Sequence, residues 1–471
     1  MDLTVMSRSQ IFDSPQLPAN PDVLAALHAR VADADLAAPP VVLPDFHHKS
    51  NMELPSSVAV ATLSTIRPTL TSASVNCGMA LLTLDTDRPN QTGIEEFYRR
   101  VRERYPYPTR NRGELSATDV RRAAVDGARF AAERWQVEGD DLERIEEFGR
   151  IDLDRYGGSE RLLKELPGIM FQLARLRFGT VGPSNHFIEM QEVEEILDAS
   201  AASALGVHQG QLAINYHAGG GVLTGEIGAL FGRRKHYPRQ LKMAMTVQKP
   251  LYHLASARSF HELRQRLALY FTDGCPPVDR HSDEGQRLML ANAAAMNYGF
   301  AFRVATYAAL RTIVAQVFGA STKLVVDSPH NSIYEEPTAA GSAVVHRHNA
   351  CRAYPGELMP PGTVFHETGQ AVLLPGTHRT SSYLAVAGPH AARSLYSACH
   401  GAGTVIEDFV AKGLSRQHPD GPSTQRFRYS DAAPATVAHL DDNGVNAALA
   451  VLAGHGLVTP VARLRPFAVL N

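Results

Sequence analysis

Cys77 and four histidines occupy settings in which a chain turns: Ser-Val-Asn-Cys77-Gly-Met, Asn185-His186, Asn-Tyr-His217-Ala-Gly-Gly-Gly, His330-Asn331 and Cys-His400-Gly-Ala-Gly. Neutral imidazole is the commonest protein ligand for divalent transition metals, and a thiolate can join or bridge them. Cys77 and these histidines are therefore candidate metal ligands, and by themselves they leave a metalloenzyme open. Taken singly, each has a plainer role, a hydrogen-bonded histidine or a small buried cysteine. Four similar loop settings at the ends of strand-like runs raise the joint case, because strand-end loops present side chains to a common cavity. The residues are far apart in sequence, so spacing alone does not establish that they meet.

Other motifs suit phosphate. Gly219, Gly220 and Gly221 follow His217, and Gly401, Ala402 and Gly403 follow His400; exposed backbone amides in such turns can cradle phosphate oxygens. The segment from Leu374 through Thr377 and Arg379 to Ser382 adds hydroxyls and a guanidinium in a turn. Glycine and serine also fill turns for conformational reasons alone. Cys399 beside His400 leaves nucleophilic cysteine chemistry open as an alternative. Arg175 and Arg177, and the run Arg233 to Arg239, are local basic patches that suit RNA or simply face solvent.

The elements that must position these groups alternate. A helix-like segment from Pro21 to Ala37 ends at Pro39-Pro40, and short β-branched runs follow at Val41 to Leu43 and Ser57 to Ser64. Apolar spacings of three and four predict helices over Ile94 to Arg104, Ser116 to Arg134, Asp140 to Phe148 and Ser159 to Leu176, forming a cover over the strands. Strands are expected at Phe187 to Val193 and Gln211 to Ile214, a long helix at Glu284 to Gln316, and strands at Lys323 to Asp327, Ala343 to His346, Ala371 to Leu374 and Ser382 to Ala387. Gln417 to Ser423 reads as a surface loop. Blocks of strand and helix without βαβ rhythm predict an α+β fold of complex topology.

Composition narrows the function. With 471 residues, 44% hydrophobic and 20% charged, the chain can bury a large core. The 46 basic and 48 acidic residues nearly cancel, so any nucleic-acid contact must be a local patch. Four scattered cysteines exclude a disulfide framework and suit a reducing cytoplasm. No stretch approaches the length of a membrane helix, and the first residues lack a secretory pattern, so no membrane association is expected.

Read in order, the motifs resemble the RtcB family of RNA-splicing and RNA-repair ligases. The resemblance is carried by Pro44-Asp45-Phe46-His47, Val75-Asn76-Cys77-Gly78-Met79, Gly179-Thr180-Val181-Gly182, Asn185-His186-Phe187-Ile188-Glu189, and His217 with its glycines. It continues through Met296-Asn297-Tyr298, His330-Asn331, His346-Arg347, Arg352-Ala353, Gly369-Gln370 to Tyr383, His400-Gly401-Ala402-Gly403 and Arg463-Leu464-Arg465-Pro466. It implies a single large domain over residues 41–471 with a central metal-binding cleft, preceded by an N-terminal extension over 1–40. It further implies one or two Mn²⁺ ions and GTP as cofactors, RNA ends as partners, a cytoplasmic location, and room for an activating protein partner. In such ligases a histidine, here His400, takes up guanylate, passes it to an RNA 3′-phosphate, and a 5′-hydroxyl then displaces GMP. By the same motif match Cys77, His217 and His330 hold one metal, and Cys77 and His186 help hold the second. Asn185, Glu189, Thr377 and Ser382 line the nucleotide site, together with His330, Asn331 and the Gly401-Ala402-Gly403 turn.

The departures all fall around that site. Ser74 stands where the family has an aspartate ligand of the second metal, which implies a weakened or empty second position. Thr404 replaces an arginine, His348 and Asn349 replace Lys-Gly, and Asn471 stands where the family has a lysine that contacts guanylate. Charge-assisted contacts are each worth about 1.5–3 kcal/mol. A divergent metal-dependent phosphodiesterase or phosphatase, and a non-catalytic binder of RNA ends, therefore remain open beside ligation.

Overall fold

A computed structural model describes residues 9–106, 114–182, 186–235, 239–274, 276–417, 421–431 and 433–471, without the side chains of 239–244. The Gly78–Leu84 strand sits near one end of a large sheet whose main path runs Ala371–Leu374, Ser382–Ala387, Val458–Leu470, Phe187–Ile196, Leu212–Ala218, Gly78–Leu84, Thr322–Pro329, with every pair antiparallel. Alternate residues of a strand point to opposite faces. Ala80, Leu82 and Leu84 enter the core with the helices, while Met79 and Leu81 enter a second core with Val193, Ala213 and Val325. Both faces are covered, which is why this strand reads, Thr83 apart, as an apolar run with no alternation.

One face packs on the Asp283–Phe318 helix, 36 residues and about 54 Å long. The Ser282 side chain accepts from the Gly285 N–H at its start, and Gly319 closes it with φ 65°. It is buried on nearly every side because Gln91–Arg104, Ala117–Asp126, Ala128–Trp135 and Gly221–Leu230 pack around it. Asn297, within the Met-Asn-Tyr motif, ties this helix to the cover by accepting from the Ile151 N–H (2.7 Å) and donating to the Ile151 and Ala124 carbonyls.

The expected helices form with altered bounds. Ser116 to Arg134 is two helices broken at Gly127 (φ 59°, ψ −138°), where an added Cβ would lie 2.1 Å from the Gly149 carbonyl oxygen. Pro167 divides Ser159 to Leu176. Asp140 to Phe148 is not one helix: after Gly139–Leu142 the chain makes a tight turn with Glu147 and Phe148 at positive φ. Buried polar bonds override local propensity there. Glu146 accepts from Ser328, Tyr334 and Gln370, and Glu147 pairs with Arg352. The last third holds helices as well as strands, Gly403–Ala411 and Asn443–Gly454 among them. Of the expected loop from Gln417 to Ser423, residues 418–420 lie outside the described residues.

A second sheet runs Gln10–Ile11, Val41–Val42, Val58–Thr62, Gly341–His348, Asn331–Thr338. The helix Pro21–Val31 buries Leu27 and Val31 beside Val42, Val58 and Val60. A single residue, His330, separates the Thr322–Pro329 strand of the large sheet from the Asn331–Thr338 strand of this one. Among the described residues no helix is long and apolar enough to cross a membrane. The fold is α+β in one large domain.

Glu226 on the Gly221–Leu230 helix is 1% exposed, and its Oε2 has no hydrogen-bond partner among the described residues. Burial pushes its carboxyl up to about 8 from an ordinary 4.5. The folded protein keeps this proton to about pH 8, whereas the unfolded chain releases it near 4.5, so stability falls as pH rises between the two. Glu226→Gln is expected to stabilise the fold by on the order of 3 kcal/mol at pH 8 and by little at pH 4.5. Denaturant melts at both pH values test this, and equal changes at the two would refute it.

Candidate active site

Ladder register dictates which residues meet. Gly78 pairs with Ala218 on one side and Pro329 on the other, Met79 pairs with His217, and Phe187 pairs with His217 from the next strand. Two strand beginnings and two strand ends thus share one edge of the sheet. Cys77 precedes Gly78, His186 precedes Phe187, His217 is next to last in its strand, and His330 follows Pro329. Cys77 Sγ lies 3.2 Å from His217 Nε2 and 3.7 Å from His186 Nε2, and His217 Nε2 lies 3.1 Å from His330 Nε2. Gly219 makes room for this, since a Cβ there would stand 2.9 Å from His186 Nε2.

Three positions differ from the expected loops after strands. Cys77 and His186 stand before the strands that carry them, and His217 lies inside its strand; the shared end of the sheet does the work assigned to loops. The Cys77 turn is fastened from behind. Asn76 adopts φ 58°, a conformation asparagine tolerates, and its Nδ2 donates to the Met296 carbonyl. Arg303 donates to the Asn76 carbonyl (2.6 Å) and through Nε (2.7 Å) to Asp327 Oδ1, while its Nη2 makes an ion-pair contact with the same oxygen at 2.6 Å. The His330 N–H donates to the Cys77 carbonyl at 2.9 Å.

The donor set fits a divalent transition metal. Burial, with Arg177 nearby, brings His186 down to about 4, and burial holds His330 well below its usual value, so both imidazoles offer lone pairs at neutral pH. Burial pushes the Cys77 thiol up to about 11, opposed by Arg303 and by a hydrogen bond from Ser74, so metal ligation releases its proton. His330 Nδ1 is buried with no hydrogen-bond partner among the described residues. Cys77 Sγ and one nitrogen each of His186 and His217, buried or half-buried, lie within 4.8 Å of one another, a set that suits a metal better than its members suit one another.

His400 follows the short strand Ser397–Cys399, which pairs with Ala350–Arg352. The Ala350 N–H donates to the His330 carbonyl at 2.9 Å, and the His330 and His400 rings lie 4.4 Å apart. His400 Nδ1 is 3.2 Å from the Asn349 carbonyl oxygen. A carbonyl only accepts, so Nδ1 carries the proton and Nε2 keeps its lone pair. Burial, with His348 and His47 nearby, brings His400 down to about 4, so the ring is neutral and nucleophilic. Cys399 does not compete for this role. It is fully buried among Val372, Leu374 and Val405, and burial raises its thiol well above the ordinary value.

A cavity of about 720 Å³ opens over both groups. Glu189, Asn331, Thr377, Gly401 and Gly403 line it, as do Ser74, Thr404 and Asn471. Ser382 and Ala402 lie behind its wall: Ser382 accepts from Gly376 N–H (3.2 Å) and Gln191 Nε2 (3.1 Å), and Ala402 is fully buried. Asn185 lies outside the described residues. Burial pushes Glu189 up to about 7, opposed by Gln191.

Three groups went unassigned in the sequence. Asp45, at φ 67°, accepts from the Val405 N–H (3.0 Å) and so caps the helix that follows His400. His47 and His348 line the cavity, each with Nδ1 fixed to a backbone carbonyl, of Asp45 (2.7 Å) and Pro55 (3.0 Å). The motif Pro44-Asp45-Phe46-His47 was the available signal. The basic run is not an open phosphate track. Arg234 is buried and donates to the Gly228, Thr71 and Pro68 carbonyls, Lys235 Nζ donates to the Met52 carbonyl, Arg233 pairs with Asp273, and 236–238 lie outside the described residues.

A family model described as tRNA-splicing ligase RtcB matches residues 29–471. The tRNA-splicing ligase RtcB of Thermococcus kodakarensis is 27% identical over 458 residues, covering 91% of this chain and 86% of its own length. The RNA-splicing ligase RtcB of Mycobacterium bovis is 30% identical over 357 residues, covering 72% and 73%. The tRNA-splicing ligase RtcB of Pyrococcus abyssi is 28% identical over 419 residues, 84% of this chain but 42% of that protein, so this chain spans less than half the length of that relative. The match runs through every strand that builds the donor cluster and through the His400 turn, and the chain belongs to the RtcB family.

Proposed function

We propose that this protein is an RNA ligase that joins a 3′-phosphate or 2′,3′-cyclic phosphate end to a 5′-hydroxyl end, using GTP and Mn²⁺. The observation that carries the reading is the contact between two chemistries: the neutral His400 ring, with Nε2 available, lies 4.4 Å from His330, the outermost donor of the thiol-imidazole cluster. Cys77, His186, His217 and His330 would hold the metal, which when bound offsets the charge developing on phosphate oxygens.

His400 Nε2 attacks the α-phosphorus of GTP; a P–N bond forms, the P–O bond to the β-phosphate breaks, and pyrophosphate leaves. An oxygen of the RNA 3′-phosphate then takes the guanylate, returning the bonding pair to Nε2. The 5′-hydroxyl attacks the activated 3′-phosphate, and GMP leaves. Asn349 keeps the nucleophile in one tautomer throughout. Asp45 holds the helix behind it, and Gly401 and Gly403 leave the backbone open to phosphate. A cyclic phosphate end is first opened by water to a 3′-phosphate. Ser74, a hydroxyl in place of a carboxylate, supports one metal more than two.

The test is incubation of purified protein with α-labelled GTP and Mn²⁺. A labelled protein band that is acid-labile, and that disappears in His400→Ala without loss of folding or metal, is expected. Labelling that survives His400→Ala refutes the mechanism, and RNA end hydrolysis without labelling would point to a phosphodiesterase.

A further inference from the structure

The helix Arg239–Ser256 carries two apolar faces where a surface helix needs one. One face is taken up by the fold: Met245, Tyr252 and His253 are buried, and the helix packs on Gly221–Leu230 and Phe260–Phe271. The other is open. Val247, Leu251 and Leu254 follow one another at helical spacing and are 61%, 58% and 59% exposed. Opposite Val247 and Leu251 stand Leu166, Ile169 and Leu173, and the two walls enclose a groove of about 720 Å³ that shares no lining residue with the central cavity. Single exposed apolar residues are ordinary, whereas a continuous apolar trough marks a surface that meets something.

A buried ion network braces the groove. Arg287 Nε donates to Glu165 Oε2 (2.6 Å) on one wall, Arg266 Nη1 donates to Ser256 Oγ (2.9 Å) on the other, and Glu284 accepts from both arginines. The trough is therefore preformed, and no rearrangement is needed to open it to a partner. Its charge is one-sided. Glu165 is paired with Arg287, whereas Lys164 beside it is exposed and has no hydrogen-bond or ion-pair partner among the described residues. Just beyond Ser256 the exposed Arg258 guanidinium is likewise unpaired among the described residues, since Glu262 is engaged by Arg266 and by the Arg258 N–H.

We propose that this groove docks an amphipathic helix of an acidic partner protein. Apolar side chains at helical spacing on the partner fill the trough between the two walls, and its carboxylates meet Lys164 and Arg258. A second copy of this chain fits poorly. The Arg239–Ser256 helix has Arg239 and Lys242 near its start and Arg258 just past its end, so a copy laid along it in either direction sets cation against cation. A bilayer surface fits poorly as well, because Val247 and Leu251 line a concave trough between helices, whereas a helix that lies in a membrane presents a convex apolar face.

Fluorescence anisotropy with the full chain tests this. The probe is a labelled peptide of about 18 residues with leucine at positions i, i+3, i+4 and i+7 and glutamate elsewhere; its counterpart has lysine in place of glutamate. The acidic peptide is expected to bind at least about tenfold more tightly than the basic one. Leu251→Ser should weaken it about tenfold or more, and Arg258→Glu about threefold or more with a shallower salt dependence. Both side chains are exposed, so the unfolding midpoint of each variant should match wild type. Failure of the acidic peptide to bind, equal binding of the two peptides, or binding indifferent to Leu251→Ser overturns the proposal. A dimer in light scattering that Leu251→Ser dissolves would assign the groove to a second copy, and flotation with phosphatidylserine vesicles that the same variant loses would assign it to a membrane; either result overturns the acidic partner.

Discussion

His217→Ala is expected to strip the protein of divalent metal. His217 Nε2 is the central atom of the cluster, 3.2 Å from Cys77 Sγ and 3.1 Å from His330 Nε2, so its loss separates the remaining donors. Changes to residues that merely orient a ligand weaken metal affinity about 10–100-fold, so removal of a ligand should cost at least about a hundredfold. Metal analysis after equilibration with Mn²⁺ checks it, with His400→Ala as the comparison that retains metal. The fold should survive, because His217 pairs with Met79 and Phe187 through its backbone whatever its side chain. Wild-type metal content in His217→Ala would remove the cluster from the chemistry altogether.

Arg303→Met should destabilise the fold by about 3–5 kcal/mol, the usual result of breaking a buried ion pair from one side. Arg303 and Asp327 are both essentially buried, and Asp327 Oδ2 already lacks a hydrogen-bond partner among the described residues. Without the guanidinium, a carboxylate and the Asn76 carbonyl are left in an apolar core. Adding Asp327→Asn to the same protein should return part of the loss, since no net charge then remains buried. Denaturant unfolding measures both; a loss under about 1 kcal/mol in the single variant would mean that water or a neighbour replaces the guanidinium. The same variant loosens the Cys77 turn, so metal binding should weaken alongside stability.

Much of this was legible in the residues. The strands Ala371–Leu374 and Ser382–Ala387 follow from short apolar runs that end at Pro375 and Gly388, and the long helix from its alanine-rich periodicity. What pattern cannot supply is register. That Cys77, His186, His217 and His330 meet depends on Gly78 standing opposite both Ala218 and Pro329, a fact of long-range pairing that no local spacing encodes. The Glu146-Glu147 turn was hidden for a related reason, because its helical periodicity yields to partners almost two hundred residues away or more. Arg303 did leave a trace. A guanidinium inside the apolar middle of a helix needs a buried anion, and Asp327 is that anion.

His330 is one residue long as a connector, and that length admits no variation. Strand side chains alternate, so inserting or deleting a single position between Pro329 and Asn331 would turn one of the two sheets inside out relative to its core. Loops on the rim of this molecule can lengthen over evolutionary time, but this junction is a fixed gauge. The sequence interval from Thr322 to Thr338 should therefore keep its count in any relative that keeps the chemistry, whatever else drifts around it.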